Sequence, residues 1–353
     1  MRFAFTDEQI LFRDTVHDLL DKDCQPEQVR FAWVHDDGRL RGLWGSLAEM
    51  GVLGIQVPEA YGGLALAEVD LVLLLEETGR FALPGPVVET VAVGAPLLAE
   101  LAALADAAPT VTELAQRWLP AVLAGEAVIA VARATDPVVN RGGEADLVVV
   151  LDGDVVTLVA GEQVVAVAQP SVDGSRRLAS VTWPAGAAVV ASGPAVATLV
   201  ARAEARATLG TAAQLLGLGD RLLMMTVAYA QERRQFGVPI GSFQAVKHHL
   251  ADALLQLEFA RPVVYAAAWA LATDDPDAPR AVAHAKAAAS DAASFAGRQA
   301  LQVHGAIGYT VEYDLHLYLK RVWALAAAWG DAAEHRRKVA DLVLGPAPTP
   351  APT

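Results

Sequence analysis

A chain of 353 residues with a net charge of -14 and 54% apolar residues is too long for one small core and suits two or three packed domains. The acidic balance, with no basic block, argues against nucleic acid as a partner. The single cysteine, Cys24, excludes an internal disulfide and a multi-cysteine metal site, and no metal is expected. No run of about 18 apolar residues and no charged start before a short apolar stretch occurs, so a soluble, cytoplasmic chain without a membrane partner is expected.

Thr6-Asp7-Glu8-Gln9 reads as a capping box, Thr at the cap and Gln three residues on. Phe12, Val16, Leu19 and Leu20 follow as a helical stripe that Pro26 ends. A second helix is expected from about Arg39, with Leu40, Leu43, Trp44 and Leu47 on one face and Gly51 as its stop. Gly51 to Gly63 is a Pro/Gly loop that includes V-P-E-A-Y-G-G. Helices are then expected near Leu66 to Thr78, Val88 to Leu104 and Thr112 to Leu123, with the turn R-F-A-L-P-G-P between the first two. Residues 1–125 read as an all-helical N-terminal domain.

After Gly125 the pattern shortens into β-branched runs: Val128 to Ala132, Leu147 to Leu151, Val155 to Val159, Val164 to Val167 and Leu178 to Trp183. Asp152-Gly153-Asp154 between two of them signals a hairpin. A small β domain over 126–192 follows. Helical periodicity resumes after Pro194, and its Ala-rich faces favour close packing in a four-helix bundle over 193–344. The Pro/Ala/Thr-rich end, 345–353, reads as a disordered tail.

One stretch of this bundle is the most informative in the chain. Glu232 to Asp252, E-R-R-Q-F-G-V-P-I-G-S-F-Q-A-V-K-H-H-L-A-D, joins two long helices through Gly237, Pro239 and Gly241, which break helices. Arg233 and Arg234 are fixed cations suited to a phosphate, and Gln244 can donate and accept. The plainer reading is a charged helix end beside a solvated turn.

R-x-x-F-G-x-x-I-x-x-F-Q resembles the hairpin of the acyl-CoA dehydrogenase family. The resemblance covers nearly the whole chain: V-P-E-A-Y-G-G, R-F-A-L-P-G-P, and the order of helices, small β domain and four-helix bundle. It implies that FAD is the cofactor, with its diphosphate and adenine end held across a subunit interface by Arg233, Phe236 and Gln244. In L-Q-V-H-G-A-I-G-Y, Gln302, Gly305 and Gly308 match a second FAD-binding element, with Ala306 where Gly is usual. Glycines there let a backbone approach a ligand closely. His304 is read as structural.

The resemblance also implies a carboxylate that removes the α-proton of an acyl thioester while hydride leaves for the flavin. At the usual position of that Glu stands Trp329, before Gly330. Two variant positions fall on Ala207 and Gln214, and none of the three takes a proton. Glu204, one turn before Ala207 on the same face, is the nearest acid; its plainer reading is an ion-pair partner of Arg202 or Arg206, or a solvated side chain. The flavin-facing loop of the family starts as Thr135-Asp136-Pro137 here and then departs from the pattern. Asp173 to Val181 resembles a strand start in short bacterial relatives.

The expectation is therefore an FAD-dependent acyl-CoA dehydrogenase of the short bacterial type, oxidising the Cα–Cβ bond of a CoA thioester, bulky or steroid-derived, in β-oxidation-like lipid or steroid degradation. Its partners are acyl-CoA, an electron-transfer flavoprotein, and a homologous subunit or itself, in a dimer or heterotetramer. Two other readings stand beside it: a non-catalytic structural subunit that completes a partner's FAD site, and a flavin oxidase or monooxygenase on the same fold.

Overall fold

The computed structural model describes residues 4–35, 40–136 and 138–345. Its N-terminal part holds α1 (Asp7–Asp23), α2 (Pro26–Val34), α3 (Arg41–Glu49), α4 (Glu68–Arg80), α5 (Ala95–Ala102) and α6 (Pro109–Leu123). The capping box is present: Thr6 N–H donates to Gln9 Oε1 at 2.8 Å, and Gln9 N–H to Thr6 Oγ1 at 3.2 Å. Pro26 does more than follow α1. It occupies the start of α2, where a missing N–H costs no helical bond. The second expected helix is α3; Arg39 lies outside the described residues, as do Pro137 and the tail from 346 onward.

The expected single helix from Val88 to Leu104 is split. Val88–Gly94 winds as a π-helix, and α5 continues from it. Pro96 supplies a physical reason: it withholds one N–H, and its ring crowds the carbonyl of Ala92 four residues back. A wider turn relieves that crowding. A Cβ at Gly94 would meet Ile129 Cγ2 at 2.5 Å, so this segment seats directly on the β domain.

The β domain contains β1 (Ile129–Arg133), β2 (Val138–Asn140), β3 (Leu147–Asp152), β4 (Val155–Ala160), β5 (Val165–Ala168), β6 (Leu178–Thr182) and β7 (Val189–Ser192). They form two sheets, ordered β1-β3-β4-β7 and β2-β6-β5. The hairpin is where the sequence places it: Asp152 pairs with Val155 across the turn, and Gly153 takes φ +60°. β2 and β7 lie outside the expected runs; the three residues of β2 are too few to show alternation. At the outer edge of its sheet, β1 is closed by Thr90. The Thr90 hydroxyl donates to Ile129 O at 2.9 Å and accepts from Ile129 N–H at 3.2 Å.

The C-terminal part opens with α7 (Pro194–Glu232). A short ribbon of β8 (Arg234–Gln235) and β9 (Val238–Pro239) turns the chain into α8 (Gln244–Ala272), and α9 (Ala278–His304), α10 (Leu315–Ala327) and α11 (Ala332–Leu344) follow. α4 and α7 touch backbone to backbone. A Cβ at Gly79 would fall 2.1 Å from Gln214 O, and one at Gly217 would fall 1.9 Å from Glu76 O. Charges tie the same helices to α8. Arg261 holds Asp220 through both oxygens at 3.0 and 2.9 Å, Arg80 reaches Asp220 at 2.9 Å, and Tyr265 OH donates to Glu76 at 2.6 Å. The core thus runs through all three parts without a break.

Candidate active site

Two adjoining cavities open where the π-helix, β1, β2, α7 and the turn between α10 and α11 meet. Gln214 and Thr211 of α7 line one, Arg133 and Asp136 line the other, and Glu89, Asn140, Arg176, Ala328 and Trp329 line both.

Trp329 is held from several sides. Its φ is +57°, the left-handed region, which is costly for a bulky side chain. His335 Nε2 donates to Trp329 O at 2.9 Å. Lys286, fully buried, donates to Gly330 O at 2.9 Å, Ala326 O at 3.1 Å and Ser290 Oγ at 3.2 Å. It thereby caps the C-terminal end of α10, where a cation suits the helix dipole. Burial brings the Lys286 ammonium down to about 8 despite Asp331 and Glu334 nearby. The Arg133 guanidinium stands 5.5 Å from the Trp329 ring centroid, a cation–π contact.

Arg321 of α10 joins the three parts at the back of the cavity. Buried at 4% exposure, it pairs with Asp173 and Ser175 of the β domain and donates to Leu83 O of the N-terminal part at 3.2 Å. Trp33 Nε1 of α2 donates to the same Ser175 hydroxyl at 3.0 Å. The segment from Asp173, expected as a strand start, is therefore first of all a buried anchor, with Asp173 itself fully buried.

Glu89 is the residue that sequence reasoning missed. It sits in the π-helix at 7% exposure, and its Oε1 accepts from Asn140 Nδ2 at 2.9 Å. Oε2 has no hydrogen-bond partner among the described residues. Asn140 Oδ1 and Arg176 Nε are buried without hydrogen-bond partners among the described residues. The only sequence signal was an acid following R-F-A-L-P-G-P, with nothing local to mark it as facing a cavity.

Of the positions weighed for a base, the structure brings Trp329 and Gln214 to the cavity. Gln214 Nε2 donates to Thr78 Oγ1 at 3.0 Å. Ala207 is buried in α7 and does not line the junction cavities. Glu204, half-buried, does not line them either. Among the described residues Glu204 forms no ion pair, which leaves the solvated side chain of its two plainer readings. Arg206 pairs instead with Glu68 and Glu100, each at 2.8 Å, and Arg202 with Glu68 and Asp274 at 3.4 and 2.9 Å. In sequence Glu204 is nearer, but α4 and α5 carry acids onto the same arginines.

The residues of the two FAD-like motifs gather at the other end of the bundle. Tyr229 near the end of α7 stacks on His304 at the end of α9, ring centroids 4.3 Å apart, which sets Arg233 and Gln302 on neighbouring helix ends. Phe236, at φ +54°, is 92% exposed. Arg233, Gln244 and Gln302 are exposed, and their side chains make no hydrogen bond or ion pair among the described residues. Gly305 takes φ +63° with open space where a Cβ would point. A cation, two amides, an uncovered ring and an open glycine fit a diphosphate with an adenine. Gly308 differs from its expectation: a Cβ there would meet Leu301 Cδ1 at 3.0 Å and His304 Cβ at 3.1 Å, so it packs within its own chain. His304 is structural in form. Nδ1–H donates to Ala300 O at 2.7 Å, Nε2 lies 3.2 Å from Tyr313 OH, and burial lowers its pKa.

Sequence comparison agrees with this architecture. Residues 6–126 match the acyl-CoA dehydrogenase N-terminal domain, and residues 193–344 match the acyl-CoA dehydrogenase C-terminal domain. The chain belongs to the acyl-CoA dehydrogenase family, a class of oxidoreductases. It is 34% identical to the acyl-CoA dehydrogenase IpdE2 of Mycolicibacterium smegmatis over 95% of this chain and 98% of that one. It is 36% identical to IpdE2 of Mycobacterium tuberculosis over 89% and 91%. Among solved structures it resembles the ChsE4-ChsE5 complex from Mycobacterium tuberculosis, with 27% identity, a TM-score of 0.85, and coverage of 98% of this chain and 100% of that one. Among the described residues, no helix is long and apolar enough to cross a membrane.

Proposed function

We propose that this chain is a subunit of an FAD-dependent acyl-CoA dehydrogenase, acting in the cytoplasm on the Cα–Cβ bond of a CoA thioester. Bound FAD would supply the hydride acceptor, and an electron-transfer flavoprotein would take the electrons onward. The observation that carries the reading is a separation. Gln214 lies within α7 and Arg233 caps its C-terminal end, nineteen residues on, or about 28 Å along the helix axis. A five-carbon ribityl chain does not bridge that gap, so the diphosphate motif of one chain serves the junction cavity of another.

The subunit contact has material to bury. Phe259 is 75% exposed, Leu255 54% and Leu254 47%, all on α8 beside the motif hairpin. Such uncovered apolar area marks an association surface. The relative in the ChsE4-ChsE5 complex is a two-component assembly, which supports a homologous partner as well as self-association.

In the cavity this chain's residues position and shield. Trp329 excludes water, Arg133 lies over its ring, and Arg176 offers an unpartnered buried N–H. Trp329 in place of a carboxylate favours the second reading, a structural subunit completing a partner's FAD site. One experiment separates them. The chain is purified alone and with a base-bearing homologous subunit, then assayed by ferrocenium reduction with short, long and steroid-derived CoA thioesters. Flavin co-purification, a dimer or tetramer in sedimentation, and thioester-dependent reduction are expected. A flavin-free monomer in both preparations would end the proposal.

A further inference from the structure

Resting on the reading just given, we infer that Glu89 is the proton acceptor of this chain's own cavity, in place of the carboxylate whose position Trp329 fills. Three observations converge on it. Glu89 is the one buried carboxylate among the described residues lining the two junction cavities; the other acid there, Asp136, is exposed and accepts from Val138 N–H at 3.3 Å. It lines both cavities together with Trp329, so it faces the space that Trp329 walls. Its Oε1 is oriented by Asn140 at 2.9 Å while Oε2 stays unengaged by the protein.

The local backbone supports the role. The π-helix is a costly conformation that recurs at functional sites. Here it is clamped just after Glu89: Thr90 binds the edge of β1, and Gly94 admits the Ile129 side chain. A base held this rigidly, with one oxygen anchored and one open, meets the geometric demand of proton abstraction. Gln214 cannot compete, because its amide has no basic atom. Arg176 lines both cavities and carries an unpartnered Nε–H, placed to offset negative charge developing on the thioester oxygen.

The Cα–H bond breaks and its proton passes to Glu89 Oε2. The electron pair becomes the Cα=Cβ bond. Hydride leaves Cβ to an oxidised flavin, the co-reactant that the reading requires.

The test uses the flavin-loaded full chain in its oligomer, with and without the homologous partner. A non-redox readout comes from a CoA thioester whose β-carbon is replaced by sulfur, which cannot lose hydride. Exchange of its α-hydrogens with deuterated water is followed by mass spectrometry. Glu89→Gln, a near-isosteric change, is expected to slow both exchange and dehydrogenation by about 10²-fold or more, with flavin retention and oligomeric state unchanged. Glu89→Asp should keep part of the exchange. Asn140→Leu removes the donor that orients the carboxylate and should slow the exchange, with flavin retention unchanged.

Undiminished exchange in Glu89→Gln would overturn the assignment. So would exchange that disappears only when the homologous partner's acid is replaced. Both results leave the dehydrogenase reading standing. A wild-type assembly with bound flavin that neither exchanges nor turns over any thioester would sink that reading, and Glu89 with it. If Glu89→Gln does not fold, Asn140→Leu decides: undiminished exchange in that variant rejects the assignment.

Discussion

The two ends of α7 present opposite kinds of site. At its C-terminal end Arg233, Phe236, Gln244 and Gln302 are exposed, and the Arg and Gln side chains make no hydrogen bond or ion pair among the described residues. Along its middle, Gln214 and Thr211 border cavities closed by the β domain and the α10–α11 turn, where Glu89, Asn140 and Trp329 are constrained by their neighbours. The first is open on this chain; the second is enclosed by it. Exposed side chains contribute little to the stability of the free chain, so they answer to binding. Buried polar groups answer to stability and chemistry together, because each lost partner leaves a desolvated group behind. Substitutions at the two ends should therefore separate cleanly.

The largest expected effect is at the closed end. Arg321→Leu leaves Asp173 buried without its cation and uncouples three parts of the chain at once. Breaking such a pair costs about 3–5 kcal/mol, read as a lowered denaturant midpoint. A change under about 1 kcal/mol would show that the junction is not held there.

Next comes the open end. Arg233→Ala should weaken FAD retention about ten- to a hundredfold, from roughly 1.5–3 kcal/mol per charge-assisted bond lost. The melting temperature of the flavin-free chain should hardly move. Arg234→Ala and the double variant belong in the same series, since Arg234 is adjacent and exposed. Unchanged flavin retention through gel filtration in the double variant would remove this hairpin from the cofactor site.

A subtler effect concerns pH. Lys286 has its pKa lowered by burial from the usual 10.5 to about 8. Below pH 8 both folded and unfolded chains hold the proton, and the burial penalty is carried in full. Between about 8 and 10.5 the unfolded chain binds more protons, so this group adds stability as pH rises. Denaturant curves of wild type and Lys286→Met at pH 7, 9 and 10.5 should show wild type gaining relative to the variant. A constant difference would mean that Lys286 titrates normally.

The smallest effect is at Cys24. Fully buried, with its thiol pushed up to about 12 by desolvation, it should not react with a thiol reagent in the native chain at pH 8. Rapid labelling without unfolding would show that the N-terminal core opens readily.

What was legible follows the range of the physics. The Thr6–Gln9 box, the Asp152-Gly153-Asp154 turn and the Glu232–Asp252 hairpin are made by neighbours in sequence, so spacing reveals them. Glu89 was silent because its meaning depends on Asn140, on a strand of three residues, and on a π-helix that mimics the ordinary helical period closely. Of the two plainer readings of Glu204, an ion pair with Arg202 or Arg206 and a solvated side chain, the ion pair is not formed among the described residues, for the same reason. On α7 alone Glu204 is the near acid, whereas packing brings Glu68 and Glu100 from other helices.

Sequence alone determined the order of helical, β and helical parts and the hairpin that resembles the family's. Those depend on periodicity, turn chemistry and local motif, which act over a few residues. Tertiary structure alone decided that Trp329 and Gln214 share a cavity, that Glu204 does not line it, and that Glu89 faces it. Those facts turn on which surfaces of distant helices and strands are pressed together, here through backbone contact at Gly79 and Gly217 and through the buried Arg321. Such contacts arise only when the whole core forms, because no local segment holds the energy to make them.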